Sequence, residues 1–121
     1  MSWTRNILIV EDEPLIAMML EDFILSLGHE VTANCDSVPA ALEAVAAGGF
    51  DLAILDVNLK GESVWPVATA LRAGSIPFVL ASGGHVDPPP AEFKDVPLIE
   101  KPYTIDRVSP IIAAALAGAE S

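Results

Sequence analysis

Four short apolar runs in this chain each stop at a polar residue capable of chemistry. Ile7–Val10 stops at Glu11-Asp12, Leu52–Leu55 at Asp56, Phe78–Ala81 at Ser82, and Leu98-Ile99 at Glu100-Lys101-Pro102. Short runs that are apolar on both parities, bounded by turn residues, read as strands buried on both faces. Such strands belong to parallel sheets, where residues distant in sequence gather along one edge of the sheet. This constraint predicts an open α/β fold whose crevice holds three carboxylates, a hydroxyl and an ammonium.

The intervening segments fit helical crossovers. The first strand is expected at Arg5–Val10, followed by a helix over residues 14–27. Pro14 suits its first turn, Asp12 or Glu13 its cap and Gly28 its end, with Leu15, Met18, Met19, Asp22, Phe23 and Leu25–Leu27 on a largely apolar face. A strand at 30–34, an Ala-rich helix at 38–47 closed by Gly48-Gly49, and a strand at 51–55 come next. A third helix is predicted over 63–73, with Ser63 as cap and Pro66 in its first turn, before a strand at 77–81. Strands alternating with helices of this length imply right-handed crossovers and a sheet covered on both sides.

The alternation breaks once. Residues 83–97 contain three consecutive prolines, which remove amide donors and favour extended backbone, so a loop is expected with at most one helical turn near Pro90–Phe93. A brief fifth strand at 98–100 and a last helix at 105–117, burying Val108, Ile111, Ile112, Ala115 and Leu116, complete the pattern.

Size and charge narrow the function classes. The 121 residues suffice for one domain, so a single domain over residues 1–121 without an output domain is expected. Seventeen acids against six bases give a formal charge of −11, so nucleic-acid binding, which needs a basic patch, is not expected. No apolar run approaches the ~18 residues of a membrane span, and the amino terminus lacks a signal-like stretch, so a cytoplasmic protein without a membrane role is expected. Cys35 has no second cysteine to pair with and reads as a small residue at the core edge. His29 and His85 read as solvent-exposed loop residues, and Trp3 and Trp65 as packing residues.

Carboxylates pressed together in a crevice repel by roughly 1–4 kcal/mol per contact, so positive charge must sit among them. A hard divalent ion with oxygen ligands, of which Mg²⁺ is the simplest, and Lys101 would supply it. Both cations hold a carboxylate ionised, which makes Asp56 a poor base but leaves it a nucleophile toward a phosphoryl group, with Ser82 able to hydrogen-bond a transferred phosphoryl oxygen.

The segments Ile-Leu-Ile-Val-Glu11-Asp12-Glu13, Leu-Ala-Ile-Leu-Asp56-Val-Asn58-Leu, Phe-Val-Leu-Ala-Ser82-Gly-Gly and Ile-Glu-Lys101-Pro102-Tyr together resemble the receiver domain of two-component response regulators. The resemblance runs from Ile7 to about Leu116 and implies a flavodoxin-like doubly wound (βα)5 fold with a five-stranded parallel sheet in the order 2-1-3-4-5. It implies Asp56 as phosphoacceptor, Asp12 and Asp56 as direct Mg²⁺ ligands, Glu11 as a ligand through water and the Asn58 backbone carbonyl as a further ligand. Ser82 and Lys101 would bind the phosphoryl group. The Lys101-Pro102 bond is expected to be cis, as it usually is in the family. A histidine kinase or histidine phosphotransfer protein would be the phosphodonor, a further protein the downstream partner, and the only catalysis the domain's own phosphorylation and dephosphorylation.

Two departures stand out. Receiver domains often carry an aromatic residue three positions before the lysine, where this chain has Leu98, so Tyr103 or the 83–97 segment would have to report phosphorylation. The stretch Pro77-Phe78 to Gly84 resembles an atypical, often stand-alone subgroup with a Phe-Ala-Thr-Gly signature in its fourth strand, although Leu80 and Ser82 replace the signature's Phe and Thr. Alternative readings are a phosphate-independent interaction module and an aspartyl-phosphate phosphatase. The latter commonly has a second acid two residues after the nucleophile, where Asn58 stands. A flavin or nucleotide carrier would need a Gly-rich phosphate cradle after the first strand, which Glu11-Asp12-Glu13 does not provide.

Overall fold

The computed structural model describes residues 5–59, 61–82, 90–100 and 104–120. In chain order the elements are β1 (Asn6–Val10), α1 (Pro14–Ser26), β2 (Glu30–Cys35), α2 (Val38–Ala47), β3 (Leu52–Asp56), β4 (Asn58–Leu59), β5 (Glu62–Ser63), α3 (Trp65–Ala73), β6 (Phe78–Ser82), β7 (Leu98–Glu100) and α4 (Ile105–Glu120). Five strands form a parallel sheet in the order β2-β1-β3-β6-β7, while β4 and β5 pair as a separate antiparallel hairpin. With the hairpin set aside, this is the expected 2-1-3-4-5 arrangement.

Alternation along each strand divides the core in two. Leu8, Val10, Ala53, Leu55 and Leu80 pack with Val38 and Ala41 of α2 and with Val67, Ala68 and Leu71 of α3. Ile7, Ile9, Leu52, Ile54, Val79 and Ile99 face Leu20 and Ile24 of α1 and Val108, Ile112 and Leu116 of α4. The central strand β3 is buried throughout, the signature of a strand covered on both sides.

The structure corrects several local expectations. Helix α1 buries Ala17, Leu20 and Ile24, leaving Leu15, Met18, Met19 and Leu25 exposed. Nearly every α1 position is apolar, so two stripes competed, and the one containing the small Ala17 packs against the sheet. Glu13 occupies the N-cap of α1 without a side-chain capping bond. Ser63 does not cap α3 but pairs with Asn58 in the hairpin, and Val64 precedes the helix. Strands β3 and β6 each run one residue further than expected, so Asp56 and Ser82 are the last residues of their strands. Between β6 and β7, the described residues hold one 3₁₀ turn, Ala91–Phe93, in agreement with the missing fourth helix; residues 83–89 lie outside the described residues.

His29 is half-buried rather than solvent-exposed, and its Nδ1 accepts a hydrogen bond from the Arg5 backbone N–H at 3.1 Å. Burial lowers its pKa below the ordinary 6.5, the Arg5 charge lowers it further, and Asp51 opposes both. The folded chain therefore prefers the neutral ring, and His29's contribution to stability is complete above pH 6.5. It declines as pH falls below 6.5 because the unfolded chain takes up the proton first. Denaturation midpoints measured between pH 7.5 and 5 should show this loss, and His29→Gln should flatten that part of the profile. An equal slope in both proteins would contradict it.

Candidate functional site

The acidic crevice is built by strand ends. β1 and β3 are paired neighbours with Val10 opposite Leu55, so Glu11 and Asp56 emerge at one level of the same edge. Asp56 lies opposite Ala81 in β6, which places Ser82 one residue beyond it on the adjoining strand. The Val57 N–H donates to the Ala81 carbonyl at 2.9 Å and the Val64 N–H to the Val57 carbonyl at 3.2 Å, fixing the chain after Asp56 between β6 and the start of α3.

Glu11, Asp12 and Asp56 each offer a carboxylate oxygen, and these oxygens lie within 4.8 Å of one another. Glu11 is 2% and Asp56 6% exposed, and Asp12 is half-buried, so water screens their repulsion only partly. Glu11 is held from two sides: its N–H donates to the Cys35 carbonyl at 2.9 Å, and its Oε2 accepts the Glu13 N–H at 3.2 Å. Convergent hard oxygen donors of this charge suit a hard divalent cation. Ser82 is buried as well, at the end of the adjoining strand β6.

Cys35 ends β2 beside this edge, and its thiol lies 3.6 Å from the Ala40 carbonyl as donor. Burial, and then the Asp36 charge, raise its pKa, so it stays a neutral thiol and serves as the core-edge residue expected of it.

Of the residues singled out in the sequence, Glu11, Asp12 and Asp56 come together, Ser82 ends the adjoining strand β6, and Asn58 stands two residues after Asp56, in β4. Lys101, the Lys101-Pro102 bond, Tyr103, His85 and Trp3 lie outside the described residues. Trp65 packs as expected, stacked on Phe93 with ring centroids 5.6 Å apart. What the sequence reading missed is Arg72. Its guanidinium lies 5.0 Å from the Phe93 ring centroid, donates to the Glu92 carbonyl and pairs with Asp95 at 3.7 Å. Nothing local in the sequence signals a contact spanning twenty residues.

Among the described residues no helix is long and apolar enough to cross a membrane. Comparison with known proteins gives a consistent family. The chain is similar over its full length to SdrG from Sphingomonas melonis Fr1, with 51% identity, a TM-score of 0.82 and complete coverage of both chains. It is 31% identical to the PhyR response regulator receiver domain of Erythrobacter litoralis, with a TM-score of 0.80 over 98% of this chain and 94% of that one. The transcriptional regulatory protein YkoG of Bacillus subtilis is 34% identical over 116 residues, 92% of this chain; the chain spans about half the length of that relative, 50%. The model of the response regulator receiver domain matches residues 7–92, so on fold, crevice and sequence alike this chain belongs to the receiver domains of two-component response regulators.

Proposed function

We propose that the domain accepts a phosphoryl group on Asp56 from a histidine kinase or histidine phosphotransfer protein and passes the signal on by protein–protein contact. The observation that carries this reading is the convergence of Glu11, Asp12 and Asp56, with their oxygens within 4.8 Å, beside the buried Ser82. An Asp56 oxygen attacks phosphorus as the bond to the donor's imidazole nitrogen breaks; the nitrogen keeps the electron pair and is reprotonated from solvent. Ser82 donates its hydroxyl hydrogen to a phosphoryl oxygen, and Lys101 contributes positive charge. Mg²⁺, held by Asp12, Asp56, the Asn58 carbonyl and, through water, Glu11, would neutralise phosphoryl oxygens during transfer. Attack of water on the acyl phosphate later releases inorganic phosphate and restores the carboxylate. The domain is thus a signalling switch rather than an enzyme acting on other substrates. Membership of the atypical strand-four subgroup is part of the same reading, supported by the strand Phe78–Ser82 and the single 3₁₀ turn before β7.

Incubation with Mg²⁺ and a small phosphodonor tests the reading: intact mass should rise by one phosphoryl group, and chelation of the metal should prevent the rise. An unchanged mass with metal present would favour a phosphate-independent module.

By the same family resemblance, the α1 face near Met18, Met19 and Asp22, all exposed, is the proposed docking face for the phosphodonor protein. Leu15 is 74% exposed, Met18 58% and Met19 41%, and this face adjoins the acidic crevice. Large apolar side chains left in water beside a reactive site mark a contact surface. Replacing Met18 and Met19 together by Glu should slow transfer from the cognate kinase by about tenfold and leave uptake from the small phosphodonor unchanged. Equal kinase rates would place docking elsewhere.

A further inference from the structure

The segment that stands where a fourth helix would be due is fastened to the domain at few points. Within Ala91–Val96 only Phe93 is fully buried, at 0% exposure; Ala91, Glu92, Lys94 and Asp95 are exposed. The backbone bonds Phe93 N–H to the Pro90 carbonyl, Lys94 N–H to the Ala91 carbonyl and Val96 N–H to the Phe93 carbonyl all stay inside the segment. Among the described residues, its ties to the body are the Phe93 ring, the half-buried Val96 packed against the same core, the grip of Arg72 on the Glu92 carbonyl and Asp95, and the Leu80 N–H bond to the Pro97 carbonyl at 2.9 Å.

Two of these ties lead to one stripe of α3. Trp65 and Arg72 are seven residues apart, two helical turns along the same face. The Phe93 ring stacks on Trp65 at 5.6 Å and 11°, meets Phe78 edge-on at 6.0 Å, and lies 5.0 Å from the Arg72 guanidinium carbon, which also sits 5.8 Å from the Phe78 ring. Trp65 opens α3 one residue after the β4–β5 hairpin, and Val64, which precedes it, donates its N–H to the carbonyl of Val57, the residue after Asp56. A short, hydrogen-bonded path therefore links the acceptor aspartate to the ring that holds Phe93.

We propose that the Trp65–Phe93 stack, clamped by Arg72, couples occupancy of Asp56 to the 90–97 segment and to the edge strand β7 that follows it. The inference rests on the phosphoacceptor reading of Asp56. Position 98 carries no aromatic ring to swing inward, and this stack is a ring contact that joins the crevice side of α3 to the segment entering β7. A segment with one buried side chain has few contacts to lose, so a small displacement of Trp65 is enough to shift its balance between attached and released forms. Trp65, Phe93 and Arg72 are positioning residues in this scheme, since none of them touches the phosphoryl group.

The test loads the full chain with Mg²⁺ and beryllofluoride, a phosphoryl mimic, and follows bound fluoride by ¹⁹F NMR alongside amide shifts of residues 90–100. Trp65 emission is read in a Trp3→Phe background. Loading should change Trp65 emission and move the 90–100 amides. Arg72→Gln, at a side chain 44% exposed and so compatible with folding, should shrink those amide shifts by about threefold while the fluoride signal persists. By linkage it should also change beryllofluoride affinity. Phe93→Leu, which keeps an apolar anchor but removes the ring stack, should abolish the emission change. Full fluoride occupancy with still 90–100 amides, or unaltered shifts in Arg72→Gln and Phe93→Leu, would overturn the coupling. Absence of any bound fluoride in the wild type would instead overturn the acceptor reading, and the coupling with it.

Discussion

The Asp56→Asn protein is expected to gain no mass under conditions in which the wild type gains one phosphoryl group. The substitution keeps the size of the side chain and its place at the end of β3, so the sheet should be undisturbed. It removes the anionic oxygen that attacks phosphorus, and an amide has no comparable nucleophile. The neighbouring acids do not rescue it easily. Asp12 and Glu11 start from the β1 side of the crevice, whereas Asp56 is the acid that adjoins Ser82 across the β3–β6 pair. Full uptake by the variant would move the acceptor to another carboxylate and remove the basis of the proposed mechanism. Thermal denaturation of both proteins provides the control, since equal midpoints show that lost chemistry, not lost folding, explains the result.

The second large effect belongs to the core. Ile54 is 1% exposed and sits in the central strand, opposite Ile9 on one side and Val79 on the other, beneath α1 and α4. Ile54→Ala should cost about 2–5 kcal/mol, the transfer free energy of the lost carbons plus a cavity that two rigid neighbouring strands cannot close. Against a typical domain stability of about 5–15 kcal/mol that is a large fraction, and urea denaturation should show a clearly lower midpoint with an unchanged slope. Leu15→Ala, at a position 74% exposed, removes as much hydrocarbon and should change the midpoint little. Similar losses at the two positions would contradict the assignment of the buried face of α1.

The strands and the crevice were readable because both depend on a short-range rule. A short apolar run ends in a polar residue, and parallel strands bring those endings to one edge, so Glu11, Asp56 and Ser82 group together from sequence alone. The face of α1 was not readable. With apolar residues nearly all round the helix, the buried stripe is decided by fit against Ile7, Ile9 and the other side chains of the sheet, not by the sequence period. Ser63 misled for a related reason, since a hydroxyl before a helix suits either a cap or a turn and the pairing of Asn58 with Ser63 decided it. The Arg72–Phe93 contact depends on two segments meeting in space, which no local pattern encodes.

The borders of the sheet bear on how this domain behaves when crowded. β7 is three residues long, starts directly after Pro97 and ends in an exposed glutamate, while β2 slips register against β1 between Ile7 and Leu8 and begins with another exposed glutamate. Among the described residues neither rim offers a long, flat row of amides for a foreign strand to template upon, so concentrated solutions should resist fibril growth. Any clumping of the protein at high concentration should instead begin at the methionines of α1 and respond to mild detergent rather than to salt.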